Sequence, residues 1–381
     1  AGKLNRALEF LPSDEQLVER SAAGKGLTRS ELSVLVSYAK ADLKEALAAS
    51  DVPEDSYLAR ELRSAFPAEL VSRHPDDLLQ HRLRREIIAT QLANDLVNHM
   101  GITFLRRVEQ STGAPASDIA RAYVVARDVF DLRQRFAEIE ALDYRVPATL
   151  QLEMMDDLVR LGRRATRWFI RNRRTLLDPQ REVEHFRPRI AALVQDFDSL
   201  LQGPVREQWE AKYSAWVEAG VPDAVARLVA GSGHFYTMLG IVEAAETTDQ
   251  PSERVAQVFF GLGSELQLPW FAQQINQLSV DNHWQALARE SYRDDLDWQV
   301  RSMTVAALQG GTEEQPVAAL IEQWLGRNTL HCQRWRNMLG ELRAAGSGDY
   351  PMIAVAMREL LDLAQSSRLG VAAGEGAECR D

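Results

Sequence analysis

Cysteine is almost missing from this chain: there are two in 381 residues, Cys332 and Cys379, far apart and in no metal-ligand spacing. That excludes a disulfide framework and points to free thiols in a reducing cytoplasm. Long apolar runs are missing too. No stretch reaches the roughly 18 residues that a membrane span requires. The opening AGKLNRALEF lacks an initiator Met and the basic, apolar and small-residue regions of a signal peptide. It reads as an internal start in a longer polypeptide. A basic excess is also lacking, and the net charge of −11 argues against nucleic acid as the main partner.

Catalytic and nucleotide-binding signatures are absent in the same way. A dinucleotide site needs a strand, a glycine turn whose amides approach the pyrophosphate, and a helix. Gly231-Ser-Gly233 and Gly261-Leu-Gly263 are the candidates; neither follows a strand, and both read as tight turns between helices. There is no P-loop and no Gly-x-Ser-x-Gly elbow. The seven histidines form no HExxH and no ligand-spaced pair with cysteine. His283, beside Trp284, reads as a helix-start residue rather than a base. Asp294, Asp295 and Asp297 lack the glycine and terminal glutamate of a calcium loop and read as a solvated helix face. No catalytic, cofactor-binding or metal-ligating residue is assigned.

What is present is helical. Ser13-Asp-Glu-Gln16 and Thr28-Arg-Ser-Glu31 fit capping boxes, in which side chains satisfy the orphaned amides of a first turn. Ala122, Val125, Val129, Leu132, Phe136 and Ile139 recur at intervals of three and four, and Met154, Leu158, Leu161, Ala165 and Trp168 repeat the pattern after Arg145-Val-Pro147. The two seams predict an antiparallel helical hairpin. Six of the eight tryptophans lie between Trp209 and Trp324, which suggests a second core. With 45% apolar and 26% charged residues, the chain reads as all-α, a bundle-like multi-helix architecture in two packed subdomains. The first covers residues 1–177 and carries the capped helices and the hairpin. The second covers 178–345 and is tryptophan-rich, and residues 346–381 form a last helix with a loose tail.

Two polar features are candidates for binding. In His81–Phe104, Leu83, Ile87, Ile88, Leu92, Leu96 and Val97 cover most of a helical wheel. Arg84, Gln91, Asp95 and Asn98 fall in one narrow polar stripe, with Asn94 at its margin, and form a candidate docking face. Between Arg160 and Arg174, seven of fifteen residues are arginine. Within that run, Arg163, Arg164, Arg167 and Arg171 form a candidate anion patch, although such a run is more often a solvated or paired helix face.

LNRALEFLPSDEQL, GLTRSELSVLVSYAK, HRLRREIIATQLANDLVNHMGITF and DNHWQALARESYRDDL together resemble the carboxy-terminal region of the large-subunit, NAD-specific glutamate dehydrogenases of bacteria. The resemblance is dense from Leu4 to about Arg174 and thinner to about Leu308. It implies an enzyme that interconverts glutamate, water and NAD with 2-oxoglutarate, ammonium and NADH, whose catalytic residues and NAD site precede this region. It further implies a large homo-oligomer in which this region packs on the catalytic domain of its own polypeptide, assists assembly or regulates. A stand-alone module that senses anions or amino acids is the alternative, and a nucleic-acid adaptor is disfavoured by charge. No nucleic-acid or membrane partner is expected, and the expected location is the cytoplasm.

Overall fold

The computed structural model describes residues 4–173, 177–346 and 348–378, with side chains to Ser367. Among these residues the regular structure is entirely helical, as the sequence predicts. In chain order the helices are α1 (Asp14–Ala22), α2 (Arg29–Ala49), α3 (Ala68–Arg73), α4 (Pro75–Leu79), α5 (Arg84–Met100), α6 (Phe104–Thr112), α7 (Ala116–Val129), α8 (Leu132–Glu140), α9 (Ala148–Asn172) and α10 (Pro179–Gln195). They continue as α11 (Phe197–Leu200), α12 (Gly203–Glu218), α13 (Asp223–Phe235), α14 (Thr237–Thr248), α15 (Ser252–Glu265), α16 (Leu268–Gln277), α17 (His283–Gln309), α18 (Val317–Arg327), α19 (Thr329–Ala344) and α20 (Tyr350–Glu378). Contacts divide the chain into one unit of Ala1–Asp128 with Gly162–Val183, and a second of Val129–Leu161 with Glu184–Asp381.

The caps form where local chemistry predicts them. Both capping boxes are complete, with Gln16 N–H donating to Ser13 Oγ and Glu31 N–H to Thr28 Oγ1, each at 3.3 Å. Helix α5 ends at Gly101, whose φ of +84° is open to glycine and costly for a residue with a Cβ. In the first unit α2 packs on α5, joining Leu43 and Leu47 to the core that holds Ile88, Leu92 and Leu96. Ile119, Tyr123 and Val124 of α7 complete that core. In the second unit α17 packs against α14, α15, α16, α18 and α20.

Three expectations are corrected. The seam through residues 122–139 is not one helix: Asp131, at φ +51°, separates α7 from α8. The glycine pairs are not turns. They lie inside α13 and α15, where Gly231 makes room for Phe197 Cε1, 2.7 Å from where a Cβ would sit, and Gly261 makes room for the Ile321 side chain. Leu83 is not part of the buried wheel, because it precedes the first turn of α5 and is 55% exposed. Cys332 is buried and free, whereas Arg174 and Cys379 lie outside the described residues.

Candidate functional site

In the polar stripe of α5, the ends and the middle do different things. Arg84 pairs with Glu54, to which Arg85 is also bound. Gln91 is half-buried and Asn98 is exposed. Asp95 turns into the first unit, where its Oδ2 accepts from Arg127 Nη1 at 2.6 Å and its Oδ1 lies 2.9 Å from His99 Nδ1. The structure therefore does not bring the four residues together as one outward face.

Two of the four arginines of the candidate anion patch are bound to acceptors within the first unit. Arg163 donates to the Met100 carbonyl through Nε at 3.1 Å and Nη2 at 2.6 Å, satisfying an acceptor at the end of α5. Arg167 Nη1 donates to Ser111 Oγ at 2.5 Å. Arg164 is half-buried and Arg171 exposed. Nearby in the run, Arg160 pairs with Asp156 and Asp157, and Arg173 with Glu182.

The strongest electrostatic feature of the first unit centres on Arg127, a residue that the sequence reading did not single out. Its side chain has no solvent exposure, and neither has that of Glu61. Arg127 Nη2 donates to Glu61 Oε1 at 2.7 Å and Nε to Asp128 Oδ1 at 2.9 Å, in addition to the bond to Asp95. Arg60 and the Tyr57 hydroxyl reach Asp128 from outside. Desolvation pulls the guanidinium down, but Asp128, Glu61 and Asp95 outweigh it and hold Arg127 well above the ordinary arginine value. Burial, with Asp128 adding to it, pushes the Tyr57 phenol up to about 12. Such a network holds three helical elements in register, its groups fixed by one another. A signal did exist in YVVARDVF, where an arginine interrupts an apolar run.

A cavity of about 300 Å³ also opens in this unit, lined by Leu43, Val97, Ile102 and Leu105 together with Arg106 and Glu109. Arg106 and Glu109 lie 3.5 Å apart and offset one another's charge. Asp42 also lines the cavity, whose walls are otherwise mainly apolar.

In the second unit the three aspartates of α17 differ. Asp295 is exposed, but Asp297 is half-buried beside the Arg301–Glu243 pair. The expectation of a uniformly solvated face is corrected there. Desolvation pushes its carboxyl up to about 7; Arg301 opposes the rise, and Asp294 and Glu243 add to it. The folded state thus binds a proton that the unfolded state releases near pH 4, so this group's contribution falls as pH rises from about 4 to 7 and is level above that. Asp297→Asn is expected to stabilise the chain by about 2 kcal/mol at pH 8, a value discounted for the partial exposure, and only slightly at pH 4. Urea unfolding of both proteins at the two pH values measures this. Equal midpoints at pH 8 contradict it. Among the described residues no group of three or more His, Cys, Asp or Glu is placed to hold a metal ion.

Comparison with known proteins identifies the family. Residues 24–362 match the family model described as glutamate dehydrogenase, C-terminal. The chain belongs to that family. It is 58% identical over 370 residues to the NAD-specific glutamate dehydrogenase of Pseudomonas aeruginosa, covering 97% of this chain and 23% of that protein. The corresponding protein of Halomonas elongata is 47% identical over 369 residues, covering 96% of this chain and 23% of that protein. That of Mycobacterium tuberculosis is 31% identical over 368 residues, covering 97% and 22%. The chain therefore spans about a quarter of the length of these relatives. The family match includes the whole of α5, with its stripe, and the Arg127 network. Among the described residues no helix is long and apolar enough to cross a membrane.

Proposed function

We propose that this chain is the helical C-terminal domain of a large NAD-dependent glutamate dehydrogenase, an enzyme that converts glutamate, NAD and water to 2-oxoglutarate, ammonium and NADH. The observation that carries the reading is 58% identity across 97% of the chain to a protein named for that activity. NAD does not fit the glycine motifs here. Gly231, Gly233, Gly261 and Gly263 sit inside helices, where the amides serve the helical ladder and cannot turn towards a pyrophosphate. The role of this domain is then packing on the catalytic part of the same polypeptide, assembly of a homo-oligomer, or regulation. Gln91 and Asn98 are the outward members of the α5 stripe and supply one docking face in this reading. The alternative, an anion- or amino-acid-sensing module, is weaker because Arg163 and Arg167 already bind protein acceptors.

The test uses a polypeptide of the relatives' length that contains this sequence. Mixed with glutamate and NAD, it is expected to form NADH, seen by absorbance. Deleting the region matched here is expected to lower kcat/KM at least ten-fold or to change the oligomer mass. A polypeptide that forms no NADH overturns the activity, and a truncated one with unchanged kinetics and mass overturns the supporting role.

A further inference from the structure

Residues 4–38 are joined to one another by polar bonds and direct large apolar side chains into solvent. Arg20 of α1 donates to both carboxylate oxygens of Glu31 in α2, at 3.0 and 2.9 Å. The Tyr38 hydroxyl donates to Glu9 at 2.7 Å. Helix α1 has no buried residue, while Leu8, Phe10 and Val18 are 70%, 91% and 70% exposed. A lone exposed leucine needs no explanation. Phe10 does. Its φ is +52°, in the left-handed region, at the end of a turn closed by Leu11 N–H on the Arg6 carbonyl at 2.9 Å. Glycine is the ordinary occupant of such a position, and a bulky residue there is strained. The ring regains nothing within its own unit, since it lies almost wholly in water.

We propose that Leu8, Phe10 and Val18 are the surface on which the domain seats against the rest of its own polypeptide. The proposal rests on reading the chain as the C-terminal part of a longer dehydrogenase. Two points select that occupant over a second copy. The chain covers 23% of the Pseudomonas aeruginosa relative, so most of a polypeptide of that length is available to cover the surface. The matched family model is a C-terminal one, so the remainder of such a polypeptide reaches the domain through this very segment. A direct tether raises the effective concentration of that neighbour to the millimolar range or above. Buried aromatic anchors carry much of the binding energy of an interface, which makes Phe10 the centre of this surface.

Hydroxyl-radical footprinting of the relative-length polypeptide tests this. Oxidation of Phe10 and of the peptide holding Leu8 and Val18 is compared between the folded protein and the same protein unfolded in urea. Protection of at least ten-fold, unchanged on dilution, is expected, and the variant L8S/F10S/V18S is expected to raise the labelling of the surface that covers it. Labelling of Phe10 equal to that of the unfolded protein overturns the proposal. Protection lost on dilution also overturns it, because the surface then belongs to a second copy. NADH formation is scored separately on the same sample: protection without activity rejects the dehydrogenase reading and keeps the docking, whereas activity without protection rejects the docking alone.

Discussion

Arg127→Met is expected to destabilise the first unit by about 3–5 kcal/mol, the range found when one partner of a buried ion pair is removed. Arg127 neutralises Glu61, whose side chain is fully enclosed, and Asp95, which is 9% exposed. Methionine fills similar space but removes the cation that both carboxylates share with Asp128. The double variant Arg127→Met/Glu61→Met is expected to recover part of the loss, because replacing a whole buried pair by apolar groups costs less than orphaning one member. Unit 1 has a single tryptophan among its described residues, Trp168, while the second unit holds seven. Whole-chain fluorescence therefore reports mainly the second unit, and hydrogen exchange of the α5 and α7 amides is the proper measurement. Unchanged exchange in both helices contradicts the assignment.

The same network shows which features can be read from one sequence. Ser13–Gln16 and Thr28–Glu31 are legible because the partners stand three residues apart and their chemistry is local. Glu61 and Arg127 are 66 residues apart, and no periodicity links them. The Asp131 break escaped because no glycine or proline marks it, and the apolar spacing runs through it undisturbed. The glycine pairs misled in the opposite direction. Their composition suggests turns, but Gly231 and Gly261 are needed inside helices for the close approach of Phe197 and Ile321. A helical wheel places Asp95 in the polar stripe but does not reveal the arginine that draws it inward. Family membership was legible from long, ordered stretches, since many positions each constrain the match.

Trp335→Ala is the second large effect, with an expected loss of about 3–5 kcal/mol in the second unit. Trp335 is 0% exposed and meets Phe271 edge to face, with ring centroids 5.1 Å apart. Its Nε1–H donates at 2.8 Å to the carbonyl of Leu266, which follows the last turn of α15. One residue thus fills the core and satisfies an acceptor that the helix leaves open. Alanine removes both functions. Trp335→Phe separates them, since phenylalanine keeps much of the volume but has no N–H. Its expected cost is about 1–3 kcal/mol, from the unpaired carbonyl and the smaller ring. The comparison is made by urea unfolding followed through fluorescence, where the remaining tryptophans of this unit report the transition. If Trp335→Phe costs as much as Trp335→Ala, the hydrogen bond dominates. If it costs nothing, Trp335 serves only as filling and the carbonyl is satisfied by another donor.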